Sequence, residues 1–244
     1  MISIKNLNIV LDKKHILKNI NLTLEDGERC VLIGPSGEGK SVLIKTIVGL
    51  IKPSSGSVEI DGVNMHKAAS KEKNKVKLRT GFLFQNAALF DFLSVRENIS
   101  LPLTIDKEYD PEEVDTKVEN ALLMLGLEGQ DGKMPNELSG GMQKRVAFAR
   151  AFIKNPKYLF CDEPNSGLDP VMARNVDEII VRLQKTLKAT SITVTHDMES
   201  IGKIADRVIF LHNKTIIYNG SVKGLKKVED KYLKNFIASY SKSI

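Results

Sequence analysis

Apolar residues near the start of the chain follow two rhythms. Ile2 and Ile4, and later Ile20, Leu22 and Leu24, alternate with polar neighbours, the period of two that predicts strands with one buried face. Cys30-Val31-Leu32-Ile33 is an unbroken apolar run, which predicts a strand buried on both faces. Glu25-Asp26-Gly27, between them, has turn composition. Val42 to Leu50 has helical spacing, and Gly56 to Ile60 predicts a strand closed by Asp61-Gly62.

The period then changes. Residues 81–85, GFLFQ, predict a strand, and the middle third after it is helical. Asp110-Pro111-Glu112-Glu113 predicts a helix start: a capping carboxylate, a proline in the first turn, and acids near the positive end of the dipole. Val114, Val118, Leu122 and Leu125 mark one face of that helix, and Gly126 fits its stop. From Tyr158 the chain returns to α/β alternation. Tyr158 to Cys161 predicts a buried strand, Pro170 to Leu187 a helix, and Ile192 to Thr195 a strand followed by a short helix. Arg207 to Leu211 and Thr215 to Tyr218 predict a hairpin across His212-Asn213-Lys214, and residues 229–240 a terminal helix. Strands separated by helices predict an α/β fold with a parallel sheet. The helical stretch of about 90–150 looks like an insertion in it.

Composition narrows the class. The chain has 244 residues, 42% hydrophobic and 27% charged, ordinary for a globular protein and unlike a disordered or collagenous chain. Its two cysteines, Cys30 and Cys161, each sit in an apolar run and are expected to be small buried hydrophobes. No stretch has the ~20 apolar residues of a spanning helix, and no secretory signal is visible in MISIKNLNIV, so the cytoplasm is the expected compartment. The net charge of +6 suits nucleic acid, an anionic membrane, a nucleotide or a plain lysine-rich surface. Residues 67–79 concentrate it, with six basic side chains and one acid, and are expected to be a solvated helix face. Contact with anionic lipid headgroups is the alternative.

Three clusters of residues carry candidate chemistry. Gly34-Pro35-Ser36-Gly37-Glu38-Gly39-Lys40-Ser41 has the spacing of a phosphate-binding loop between a buried strand and a helix. Its glycines let backbone N–H groups approach an anion, the helix adds its positive end, Lys40 supplies charge to β- and γ-phosphates, and the Ser41 hydroxyl suits Mg2+. Next, Tyr158 to Glu163 is an apolar run closed by two carboxylates. Asp162 suits the metal and Glu163 a general base for water, although two acids after a strand also begin helices. Last, Leu138-Ser139-Gly140-Gly141-Met142 places a capping serine and two glycines at a helix start. That is a second anion site in a chain that already has one, as if one of them served a neighbour's nucleotide.

Ser139 to Met142 resembles the signature of ATP-binding cassette (ABC) ATPases, and further elements appear in that family's order. Gln85 looks like the Q-loop, Ser166-Gly167-Leu168-Asp169 like the D-loop, and His196 in Thr195-His196-Asp197 like the switch histidine. The other histidines, His15, His66 and His212, are expected to be structural. The resemblance implies a P-loop NTPase fold of the ABC type: a mixed-sheet core, an N-terminal antiparallel β subdomain and an inserted helical subdomain. It divides the chain into an ATPase domain over 1–225 and a short helical extension over 226–244. It also implies an ATPase using ATP and Mg2+ as a head-to-tail dimer. Residues 34–41 would bind nucleotide, while Ser41, Gln85 and Asp162 serve the metal. Glu163 and His196 would be catalytic, Asp169 would act in the D-loop, and Ser139, Gly140 and Gly141 would cap the partner's ATP.

Two departures from the family pattern concern the nucleotide. Leu11 takes the place where an aromatic usually stacks on adenine. Glu38 stands where the loop often has a small polar residue, and it is expected to project outward with little effect. The finer resemblance, carried by residues 81–103, 134–151 and 162–171 with Ala88-Leu89-Phe90-Asp91 most telling, is to the ATPases of Mce/Mla-type phospholipid transporters. It implies a separate integral membrane permease, an Mce-type lipid-binding protein in the same complex, and a place on the inner face of the bacterial inner membrane. Amino-acid importers and lipoprotein-release systems are the alternatives within transport. A nucleic-acid-linked ABC ATPase is disfavoured, since those chains usually carry long coiled coils or a second cassette, so no nucleic-acid partner is expected.

Overall fold

The computed structural model describes residues 1–105, 109–225 and 227–241. A four-stranded antiparallel sheet is built from β1 (Ile2–Leu11), β2 (Lys14–Leu24), β4 (Ser55–Ile60) and β5 (Val63–Asn64), in the order β2-β1-β4-β5. A six-stranded sheet contains β3 (Arg29–Ile33), β6 (Thr80–Leu83), β7 (Tyr158–Asp162), β8 (Thr190–Val194), β9 (Arg207–His212) and β10 (Thr215–Ser221), in the order β10-β9-β3-β8-β7-β6. All its pairings are parallel except β9 with β10. The sheet is mixed, as expected.

Every residue of β7 and β8 is buried, as are all of β3 except Arg29. Their alternating side chains feed two cores. Cys30, Leu32, Tyr158, Phe160, Ile192 and Val194 face the antiparallel sheet and α1 (Lys40–Ile47). Val31, Ile33, Leu159 and Cys161 face the helical side. The two cysteines are therefore buried on opposite faces of the sheet, free as expected, and burial pushes each thiol up to about 12.

On the helical side lie α3 (Val95–Ile105), α4 (Pro111–Met124) and α5 (Gly140–Phe152), between β6 and β7, and then α6 (Pro170–Leu187) and α7 (Met198–Ile204). Asp110 caps α4 by accepting from Glu113 N at 2.8 Å, and Gly126 takes the positive φ that ends it. The basic stretch forms α2 (Ser70–Lys77), which buries Val76 and exposes most of its lysines, the solvated face expected. After a short α8 (Val222–Leu225), the terminal helix α9 (Lys231–Ser241) packs back onto β9 through Leu233 and Phe236, whose ring meets Phe210 edge-on at 4.8 Å. Residues 226 and 242–244 of the predicted extension lie outside the described residues.

One difference bears on the site. The predicted strand 81–85 stops at Leu83, so Gln85 lies beyond it. The chain turns away through Ala87 and Ala88, both at positive φ. Arg150 of α5 holds the turn by donating to Ala87 O and Ala88 O at 2.9 and 2.7 Å. Asn98 of α3, fully buried, accepts from Phe90 N and donates to the carbonyls of Phe90, Leu93 and Ser94. Asn98→Ala strands these groups, and leaving buried polar groups unpaired costs about 1–3 kcal/mol. Urea unfolding should show that loss, and Asn98→Asp, which keeps the acceptor for Phe90 N but turns an oxygen toward three carbonyls, should lose at least as much.

Candidate functional site

Parallel register gathers the chemistry at one edge of the sheet. Leu32 pairs with Val194 and Val194 with Asp162, so β3, β8 and β7 end together. Residues 34–41, Thr195-His196 and Asp162-Glu163 follow their carboxyl ends, with Gln85 just past β6. Ligands of open α/β sheets sit at these ends.

The three glycines of the 34–41 loop all have positive φ, and two of them also leave no room for a Cβ. A Cβ on Gly34 would stand 2.2 Å from Leu211 O, and one on Gly39, the cap of α1, 2.8 Å from Ile16 Cγ2. Ile16, which the sequence patterns did not single out, thus lies against the loop. Leu11 is at the tip of the β1–β2 hairpin, paired with Lys14 and partly exposed. Lys40 folds into the loop and donates to Gly34 O and Pro35 O, both at 2.8 Å. Burial pulls its amine down, opposed by Glu163, Glu38 and Asp162. An anion in the loop would offer this ammonium a stronger partner than two carbonyls.

Ser41 Oγ donates to Asp162 Oδ1 at 2.8 Å, joining the start of α1 to the end of β7. Burial raises the Asp162 carboxyl, and the Ser41 bond opposes that. Beside the pair, Gln85 Nε2 donates to Glu163 Oε2 at 3.3 Å and His196 Nδ1 lies 3.9 Å from Glu163 Oε1. A hydroxyl, a carboxylate and an amide are oxygen ligands of the kind Mg2+ takes, and the open loop suits phosphate, so these residues fit a magnesium nucleotide. Gln85 reaches the cluster through Glu163.

Ser139 caps α5, accepting from Met142 N at 3.3 Å, and with Gly140 it is exposed. A Cβ on Gly140 would meet nothing within 4 Å, whereas one on Gly141 would meet Met172 and Leu168. Asp169 caps α6, accepting from Val171 N and Met172 N at 2.9 and 3.0 Å. Lys144 of α5, which was not foreseen, donates to Pro164 O and Ser166 O and so ties the two segments together. A cleft of about 410 Å3 opens here, lined by Glu163, His196, Ser166, Leu168 and Asp197 among others.

A family profile described as ABC transporter matches residues 17–166, more than half of the chain. This chain belongs to the ABC transporter family. Among curated relatives, the probable ribonucleotide transport ATP-binding protein mkl of Mycobacterium bovis is 34% identical over 97% of this chain and 66% of its own length. The methionine import ATP-binding protein MetN of Carboxydothermus hydrogenoformans is 38% identical over 91% of this chain and 66% of its own. The chain thus spans just under two thirds of both. Among solved structures, the ATP-binding cassette MJ0796, as a dimer in a post-hydrolysis state bound to ADP and Pi, matches with a TM-score of 0.84. It is 31% identical, over 91% of this chain and 99% of that one. The ABC ATPase fold expected from the sequence is thereby established.

The expectation for Glu38 needs correction. Its side chain does not project outward: it bonds His212 Nδ1 at 3.1 Å through Oε1 and accepts from Lys214 N at 3.1 Å through Oε2. The β9–β10 turn runs alongside the loop, and its N–H and imidazole give an acid in an anion cradle somewhere to turn. His212 is structural, as expected, but what it holds is the 34–41 loop of this ABC chain. Its other face stacks on Tyr232 of α9 at 3.9 Å. In a double-mutant cycle of Glu38→Gln and His212→Ala, followed by thermal or urea unfolding, the double variant should lose less than the sum of the singles. The coupling should be about 0.5–1 kcal/mol. Additivity would mean that the contact contributes nothing.

Proposed function

We propose that this chain is the ATP-hydrolysing subunit of an ABC transporter, working as a head-to-tail dimer beneath a separate membrane permease. The observation that carries the reading is the row at the sheet edge: phosphate loop, Ser41–Asp162 pair, and Glu163 between Gln85 and His196. Support comes from family membership and from the dimeric cassettes it resembles.

In this reading the N–H groups of residues 36–41 bind the phosphates, and Lys40 leaves Gly34 O and Pro35 O for the β- and γ-oxygens. Ser41, Asp162 and Gln85 would hold Mg2+, which when bound offsets the phosphate charge. Glu163 takes a proton as water attacks the γ-phosphorus and the bond to the ADP oxygen breaks. His196 orients the γ-phosphate. Ser139, Gly140 and Gly141 offer the exposed start of α5 to ATP held by the other copy, and Asp169 holds the D-loop by capping α6. Leu11 would lie under adenine, where an aliphatic contact selects weakly among bases.

An apolar cleft offers the permease a seat. It has a volume of about 600 Å3 and lies between β6 and the helical side, lined by Leu78, Phe82, Phe90, Leu101, Ile105 and Arg150 among others. It is continuous with the turn after Gln85, so movement there would reach Glu163. Phe92, beside it, is 75% exposed, an apolar surface of the kind that marks a partner.

For cargo we favour phospholipid, with an Mce-type lipid-binding protein in the complex, an assembly on the inner face of the bacterial inner membrane and no nucleic-acid partner. This rests on Ala88-Leu89-Phe90-Asp91, the segment that Arg150 and Asn98 hold in place. Amino-acid import is the second reading, favoured by the MetN relative. The complex purified with its permease separates them: phospholipid should stimulate its ATPase activity and methionine should not.

Glu163→Gln should keep ATP binding, lower hydrolysis by about 10²–10⁴-fold and trap a dimer on size exclusion with ATP. A variant hydrolysing at the normal rate would remove Glu163 as the base. Ser139→Arg should abolish turnover while leaving ATP binding to the monomer intact, because the residue serves the neighbour's site. Phe92→Asp should release the permease in co-purification without altering ATP binding by the free chain.

A further inference from the structure

A buried polar chain links the two loops that flank the proposed catalytic carboxylate. Asn165, two residues past Glu163, donates through Nδ2 to Asp177 Oδ1 at 2.8 Å. Asp177, on α6, is 2% exposed. Its Oδ2 lies 2.6 Å from Ser200 Oγ of α7, and Ser200 Oγ lies 2.8 Å from Asp197 Oδ2. Asp197 adjoins His196 and caps α7 by accepting from Glu199 N at 2.9 Å through Oδ1.

The protons in this chain can be counted. A serine hydroxyl has one hydrogen to donate, yet Ser200 Oγ has a carboxyl oxygen within bonding distance on either side. If both acids were ionised, one of the two contacts would set lone pair against lone pair. A second proton is needed, carried by one of the acids. Asp197 is partly exposed to solvent, and its other oxygen already serves as an acceptor, for Glu199 N. Asp177 is almost wholly enclosed, and a buried carboxyl without a cation bonded to it favours the neutral form. Burial raises the Asp177 carboxyl; Asp197 adds to this, while the Ser200 and Asn165 bonds and Lys203 oppose it.

We infer that Asp177 is held as the neutral acid and is a positioning residue for the hydrolysis proposed above, fixing the 163–169 loop to the His196 loop. The bonds then run in one direction, with Asn165 Nδ2 also reaching Ser200 Oγ, at 3.2 Å. Asn165 Nδ2 donates to Asp177 Oδ1, Asp177 Oδ2–H to Ser200 Oγ, and Ser200 Oγ–H to Asp197 Oδ2. Every contact has a donor and an acceptor. The chain spans from the Glu163 side to the His196 side, so breaking it lets the two groups drift apart without touching the phosphate loop.

Asparagine is the diagnostic replacement, because it reproduces the neutral acid with one acceptor and one donor in the same places. Asp177→Asn should keep kcat within about twofold of the parent, whereas Asp177→Ala and Ser200→Ala should lower kcat by about tenfold to a hundredfold, the scale of an ångström-sized misplacement. KM and the Kd for ATP should stay unchanged in all three. If Asp177→Asn is as impaired as Asp177→Ala, the neutral-acid assignment falls. If Ser200→Ala, folded by thermal melting, hydrolyses ATP normally, the positioning role falls. An arm that needs no turnover is infrared spectroscopy of the intact chain. The difference between parent and Asp177→Asn should contain a protonated-carboxyl band. A carboxylate band in its place overturns the assignment, even if the Asp177→Ala variant fails to fold. A parent chain that neither binds nor hydrolyses ATP would remove the ATPase reading, while the infrared result would still decide the state of Asp177.

Discussion

The constraint on which the rest of this structure depends is the burial of β3, β7 and β8 on both faces. Side chains from these strands supply both cores, so a shift of one residue in any of them would exchange the two faces. The register is accordingly held at Leu32–Val194–Asp162. Because the strands are parallel, fixing the register also fixes where they end. Residues 34–41, the carboxylates Asp162 and Glu163, and His196 stand in one row as a consequence of packing, before any ligand is considered.

Polar residues then settle what packing leaves loose. Asn98 and Arg150 bend the chain after Gln85, Lys144 joins α5 to the loop after β7, and Asp177 joins that loop to α7. Each is buried or half-buried and bonded to backbone or to another polar group, which is the condition under which burying it is tolerable. These contacts surround the proposed catalytic groups without belonging to them. They frame Glu163, Gln85 and His196, whose side chains meet one another across the site.

The loop itself shows how local sequence and distant structure divide the work. Gly34 is required by the carbonyl of Leu211, and Glu38 is turned by His212 and Lys214. All three partners come from the β9–β10 hairpin, far along the chain. Through the stack of His212 on Tyr232, the terminal helix is joined to the phosphate loop by side-chain contacts alone.

Much was legible from the amino-acid order. Strands buried on both faces announce themselves as apolar runs, Asp110 and Ser139 as caps, and the phosphate loop by glycines whose spacing serves a backbone geometry. All of these are local, and local chemistry decides them. The direction of Glu38 was not legible, because a lone acid in a loop gives no sign of the hairpin that will bond it. Asp177 did leave a trace, as a carboxyl beside the apolar stripe of Val176, Ile180 and Leu183, on a face that also buries Gln184. Its partners, though, lie on two other segments. The sequence by itself determined which residues could bind phosphate and metal. Only the tertiary structure decided how they are held, because each holding contact joins segments whose proximity exists only once both cores have closed.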